Sequence, residues 1–230
     1  MTKQVNKTAG NSDFIVLPVF DADQCLEIAA TVKELSAYHV NRGNFWTLGA
    51  ATYQDDVLAY PAIANAFNPI ISAYFGKYFN YVKDALHIAF DTEIGMFAKD
   101  VGLPSFHIFN HEVGATKGHI HTDEPYERID LSAFKWDAPF SFTIAVELPK
   151  NGGGIDFWWN HSGEELERLN ELGGIPEPSY LPYQLGKMYL HSGKHPHRIA
   201  NPEPHMGEGE WRITLQGHGI TTDDSIAIYF

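Results

Sequence analysis

The chain is poor in the residues that would commit it to several common chemistries. Cys25 is its only cysteine, which excludes an internal disulfide, a thiolate zinc cage and a cysteine-held iron–sulfur cluster. No uninterrupted apolar run approaches the roughly 18 residues of a membrane span, and Met1 to Asp13 is polar, without the apolar stretch of a secretory signal. A cytoplasmic protein with no membrane association is the expectation. Positive charge is also scarce, 16 Lys and Arg against 29 Asp and Glu, for a formal net charge of −13. A surface of that sign repels phosphate backbones, so nucleic acid is not an expected partner.

Other residues are abundant. The 230 residues are 44% hydrophobic and include 15 Phe, 11 Tyr and 5 Trp, enough to fill a core and too many for a disordered chain. Histidine is the unusual count. Of 12, nine fall in two stretches, His107 to His121 and His191 to His218, and clustered imidazoles point to a metal site.

Local patterning divides the chain in two. Phe14 to Phe20 reads as a short buried strand, and Asp21 as the cap of a helix over Ala22 to Tyr38, whose Cys25, Ile28, Ala29, Val32 and Leu35 recur at spacings of three and four. Ala62 to Phe67, Ile70 to Phe79 and Tyr81 to Ala89 are rich in helix formers, with a break expected at Asn68-Pro69. Residues 1–95 therefore read as a mostly helical support region. From 96 to 230 short strands alternate with turn residues, at Phe106 to Val113, Phe140 to Glu147, Ile155 to Trp159, Lys187 to His191, Arg198 to Ala200, Trp211 to Gln216 and Ile226 to Phe230. One helix, Gly163 to Leu172, interrupts them, and Gly152 to Gly154 reads as a turn. The fold class expected is mainly β with N-terminal helices, the strands closing into a sandwich or barrel within a single compact unit.

The chemistry gathers in the second half. In His121-Thr122-Asp123 an imidazole and a carboxylate two residues apart on an extended chain point the same way. His197 opens a later strand, with His195 and His191 as its rivals for the same role. Two histidines and one carboxylate hold iron(II) through one face and leave the other positions open, as oxygen activation needs. Two open positions suit a chelating 2-oxo acid, whose far carboxylate could pair with the planar fork of Arg212 and bond the Thr214 hydroxyl on the same strand face.

This ordered set, across about residues 105 to 220, resembles the iron(II)/2-oxoglutarate-dependent oxygenases, and within them the free-amino-acid hydroxylases. Phe140 to Lys150, Gly152 to Gly154 and Ile155 to Phe157 look like the strand, glycine turn and strand that follow the family's His-x-Asp. The resemblance implies a double-stranded β-helix (jelly-roll, cupin-like) core. It makes His121, Asp123 and His197 the catalytic metal ligands, and Arg212 and Thr214 the co-substrate contacts. Iron(II), 2-oxoglutarate and dioxygen are the implied cofactors. Two departures stand out. Asn201 to Gly209 reads as an inserted loop, and His111 before Gly114 occupies the slot of the family's co-substrate tyrosine. Because Asp123 is present where halogenating relatives lack the carboxylate, the resemblance implies hydroxylation.

The expected substrate is a small soluble molecule, an amino acid or derivative, with Glu124, Tyr126, Asn110 and Trp158 as contacts by their proximity to the triad. Glu124 would suit an amine. Two other readings stay open. One is a cupin metalloenzyme using His119 with His121 and no oxo acid, and the other is a non-catalytic jelly-roll binding module. Trp46 to Gly49 reads equally as a lid or as packing. The oligomeric state is left open, a homo-oligomer included.

Overall fold

The computed structural model describes residues 14–96, 100–112, 118–131, 135–200, 206–222 and 225–230. It is mainly β, with few helices and predominantly antiparallel sheets. Strand β1 (Phe14–Pro18) leads into helix α1 (Ala22–Glu34). Asp21 starts that helix because its carboxylate accepts the Gln24 N–H at 2.8 Å while the Gln24 side chain accepts the Asp21 N–H at 2.9 Å. Two donors that no helical carbonyl reaches are thereby satisfied. The buried face is the expected one, Cys25, Ile28, Ala29 and Val32, although the helix ends at Glu34 and a 3-10 turn covers Ser36–Tyr38.

A hairpin of β2 (Val40–Asn41) and β3 (Trp46–Leu48) follows, then helix α2 (Tyr60–Phe90). The break expected at Asn68-Pro69 does not occur, for Pro69 lies inside a single helix of 31 residues. An internal proline costs about 3 kcal/mol. Against that, Ala64 before it and Ile71, Phe75, Phe79, Val82 and Leu86 after it are buried, each large side chain contributing about 1.5–3 kcal/mol. Asn68 also ties the helix to the following loop, donating to the Val101 carbonyl and accepting the Leu103 N–H, each at 2.9 Å. Tertiary packing outweighs the local penalty.

The remaining elements are β4 (Glu93–Met96), β5 (Ser105–Asn110), β6 (Trp136–Glu147), β7 (Ile155–Phe157), α3 (Gly163–Glu171), β8 (Ser179–Leu181), β9 (Lys187–His191), β10 (His197–Ile199), β11 (Trp211–Thr222) and β12 (Ser225–Tyr229). Four strands were not anticipated, β2, β3, β4 and β8. Each has two to four residues, too few to display alternation. β6 and β11 run beyond their expected bounds, while β7 stops short of Trp159 and β10 begins at His197. Val113 and Gly114, and part of the expected inserted loop, lie outside the described residues.

The large sheet runs β1-β9-β6-β11-β5-β3-β2, with β12 on β11 and β4 parallel to β12. Trp46 to Gly49 is therefore packing, since β3 pairs along β5. The small sheet, β10-β7-β8, meets the large one through Phe14, Ala145, Tyr183 and Tyr189 against Ile155 and Phe157. Alternation along β11 gives the large sheet two characters. Ile213 and Leu215 join the core beneath α1 and α2, whereas Arg212, Thr214 and His218 take the opposite parity. Among the described residues no helix is long and apolar enough to cross a membrane.

Gly217 is held to glycine by its neighbour, because a Cβ there would enter the Phe142 ring on β6. Gly217→Ala should destabilise the protein by about 1–3 kcal/mol, the range for an overpacked core. Urea unfolding should show a smaller loss when the same change is made in a Phe142→Leu background.

Candidate active site

Backbone pairing places the first two candidate ligands side by side. His121 and His197 exchange N–H···O bonds of 2.9 Å in both directions, an isolated antiparallel bridge, and the Asp123 N–H donates to the Gly193 carbonyl at 2.8 Å. Gly193 has φ 75°, and a Cβ on it would stand 2.8 Å from the Asp123 Cβ, so glycine answers both demands of that turn. The outcome is a cluster of His121, Asp123 and His197 whose ligand atoms all lie within 4.8 Å of one another. The His121 and His197 Nε2 atoms are 3.7 and 3.5 Å from the Asp123 oxygens.

The orientation of each imidazole follows from its other nitrogen. His121 Nδ1 bonds the His119 carbonyl at 2.9 Å and His197 Nδ1 the His195 carbonyl at 2.8 Å. A carbonyl only accepts, so both Nδ1 atoms carry hydrogen, and both Nε2 atoms lie toward Asp123, the nitrogens a metal would take. His195 and His119 thus serve through their backbone, and neither belongs to the cluster.

Around the triad lies a shell of buried polar groups. The half-buried Tyr53 donates to Asp123 Oδ1 at 3.2 Å, His191 Nε2 stands 4.0 Å from Asp123 Oδ2, and His218 Nδ1 bonds Ser141 Oγ at 2.9 Å. Burial alone would raise the Asp123 pKa, but His197, His218 and His121 around it hold its carboxyl well below the usual range. Burial opposes protonation of His197 too, yet Asp123 raises it on balance. Burial, helped by neighbouring positive groups, pushes His107 and His191 down to about 3 and His218 to about 4.

Arg212 is the other unusual group. It is 2% exposed, held between the rings of Phe109 (5.3 Å) and Tyr183 (5.7 Å), and its Nε and Nη1 have no hydrogen-bond partner. A buried guanidinium without a counter-charge costs several kcal/mol, and an anion on its fork relieves that cost. Thr214 is buried beside it in sequence parity and accepts from Gln216 Nε2 at 3.2 Å. Arg212 and the half-exposed His121 line one cavity of about 610 Å³.

The other expected contacts do not line that cavity. Glu124 and His111 are exposed. Asn110 is buried at the end of β5, where its side chain accepts the Glu112 N–H. Tyr126 packs on Trp136, and Trp158 is buried beneath Arg198 with its indole N–H donated to the Pro176 carbonyl. The lining instead includes Arg42, Phe45, Tyr53, His107, Phe109 and Phe230, drawn mostly from the N-terminal half. His107 and Phe109 share parity on β5 and were legible as one face, while the loop residues carried no periodic signal.

No protein-family model matches the chain, and no curated protein matches it in sequence. Solved structures do resemble it. An N-substituted L-amino acid dioxygenase from Burkholderia ambifaria AMMD has 16% identity over 95% of this chain and 86% of its own, with a TM-score of 0.62. The same enzyme in complex with alpha-KG has 15% identity over the same shares, with a TM-score of 0.56. HygX from Streptomyces hygroscopicus with iron bound has 13% identity over 91% and 83%, with a TM-score of 0.50. At these identities the likeness is one of fold.

The buried histidines predict how the metal-free protein responds to acid. Unfolded histidine titrates near 6.5, so below that pH the unfolded chain takes up protons that folded His107 refuses. Stability is fully present above about pH 6.5 and falls toward the folded value, by up to about 1.4 kcal/mol per pH unit for each such histidine. His197, raised in the fold, acts oppositely and loses its contribution as pH rises. In urea unfolding between about pH 6.5 and 4.5, His107→Gln should flatten the slope by about one proton.

Proposed function

We propose that this chain is an iron(II)/2-oxoglutarate-dependent oxygenase that hydroxylates a small soluble molecule, an amino acid or a derivative of one. The observation that carries the reading is the His121–Asp123–His197 cluster together with the unpartnered buried Arg212, which lines one cavity with His121. A metal site alone would fit many proteins, and a buried cation alone would fit many anions. Together they match a metal chelated by an oxo acid whose far carboxylate needs a fork. The fold it shares with an amino acid dioxygenase solved with alpha-KG supports the same reading, and on it the two facing sheets are a double-stranded β-helix, or jelly roll.

The donor set fits iron(II): two imidazoles whose Nε2 atoms face one carboxylate, which the histidines around it hold well below its usual range. Bound there with 2-oxoglutarate, iron would supply dioxygen activation, one oxygen atom leaving in succinate as CO2 is released and the other entering a substrate C–H bond. Asp123 occupies the place that a halide would need, which favours hydroxylation.

The chain's own residues have defined tasks. The His119 and His195 carbonyls fix the two imidazoles, and Tyr53 and Gly193 fix Asp123. Arg212 receives the distal carboxylate, and the Thr214 hydroxyl adds a bond from the same strand face. The aromatic walls around Arg212 keep water from its charge, which strengthens the pairing. The buried, unpaired Cys25 suits the reducing cytoplasm. Neither nucleic acid nor membrane is part of this function.

Anaerobic addition of iron(II) and then 2-oxoglutarate should produce the visible charge-transfer band of a chelated iron–oxo-acid complex. His121→Ala should abolish the band. Arg212→Ala should leave metal binding intact while weakening 2-oxoglutarate at least about tenfold, the scale of a lost buried charge-assisted pair. Metal binding without a band would defeat the 2-oxoglutarate assignment, and no metal binding would defeat the enzyme assignment.

A further inference from the structure

Arg42 stands in the same cavity with a donor to spare. It begins the turn that joins β2 to β3, where its N–H donates to the Phe45 carbonyl at 2.9 Å, and its side chain is only 8% exposed. Nη1 pairs with Asp55 at 2.6 Å and Nε donates to Thr47 Oγ1 at 3.0 Å. Asp55 is fixed in turn by the Ala51 N–H at 2.7 Å. These bonds hold the guanidinium rigid and leave Nη2 buried without a partner. His107 lies across β3–β5 from Thr47, lines the same cavity, and has an equally unpartnered Nδ1. Arg42 Nη2 and His107 Nδ1 are thus two buried nitrogens without a partner on residues that line one cavity, and a carboxylate offers two oxygens to such groups.

The rest of the lining sets the character of the ligand. Among the described residues no aspartate or glutamate lines the cavity, and Phe45, Phe109, Ile199, Met206 and Phe230 give it an apolar wall. Glu124, the group expected to receive an amine, is exposed and outside it. A cationic substrate would find no free carboxylate in the described lining.

We propose that Arg42, with His107 beside it, seats the carboxylate of the substrate, and that the substrate is an organic acid whose remaining body is uncharged and apolar. This rests on the oxygenase reading only in assigning Arg212 to the co-substrate. Arg42 is a specificity residue in this scheme, pre-organised by Asp55 and Thr47 so that little freedom is lost on binding.

Three matched probes differing in charge test it: N-acetyl-L-leucine (anion), its amide (neutral) and L-leucine methyl ester (cation). Their binding is measured by calorimetry without dioxygen, on full-length protein carrying iron(II) and 2-oxoglutarate. The acid should bind at least about tenfold tighter than the amide or the ester, as expected for a charge-assisted pair. Arg42→Gln should erase that preference, Arg42→Lys should restore part of it, and both should leave 2-oxoglutarate affinity within about twofold. The wild-type comparison stands even if a variant fails to fold. An amide or ester that binds as well as the acid overturns the proposal, as does failure of the acid to bind at millimolar concentration. So does an Arg42→Gln variant that loses 2-oxoglutarate and keeps its preference for the acid. A wild type with no iron–oxo-acid band that still prefers the acid through Arg42 would remove the oxygenase reading and leave the carboxylate seat standing.

Discussion

The site depends on one short stretch of backbone pairing, the two-way bridge between His121 and His197 with the Asp123–Gly193 bond beside it. His121 and Asp123 belong to an irregular segment that no sheet otherwise holds. Tying its backbone to the turn and strand at 193–197 converts three residues separated by up to 76 positions into one rigid face. Antiparallel pairing sets where the two Cβ atoms stand, and the His119 and His195 carbonyls then fix the rings.

Electrostatics inside the cavity reverse those of the surface. The chain carries a formal charge of −13, yet Arg42 and Arg212 line the cavity and no described carboxylate does. An acidic exterior repels anions at long range, but salt screens that field over about 8–10 Å, whereas the buried guanidinia act at contact distance in a low-dielectric wall. On the carboxylate-seat proposal, recognition of acids is confined to the cavity and withheld from the rest of the surface.

That His121, Asp123 and His197 come together was legible because it is written in residue type and order: a His-x-Asp and a later histidine opening a strand. His195 shares the parity of His197, and the choice between them rested on the strand that His197 begins and Arg198 and Ile199 continue. Arg42 and Tyr53 were not legible. They lie about 70 residues or more before the triad, in a turn and a loop, and only the pairing of β3 on β5 brings that segment over the site. The same limit explains the substrate contacts. Glu124 and Tyr126 are near Asp123 in sequence, yet neither lines the cavity, Glu124 capping and Tyr126 lying within the 3-10 turn Pro125–Arg128. In α2 the failure had the opposite origin, local chemistry at Pro69 being overridden by a buried face that extends on both sides of it.

The helices matter to the chemistry although none of them lines the cavity. A β-strand with apolar residues on both faces could slip by one residue at small cost, and the slip would turn Arg212 and Thr214 away from the site. On β11, Ile213 and Leu215 are fully buried with side chains of α1 and α2, while Arg212, Thr214 and His218 are polar. A one-residue slip would drive a guanidinium and an imidazole into that apolar core, a cost of several kcal/mol for the arginine alone. Gly217 and Gly219, which admit the rings of Phe142 and Phe140, lock β6 to β11 in the same register. The apolar face of the sheet thus determines where the polar face points, and the helical layer behind it is what holds the fork of Arg212 at the cavity.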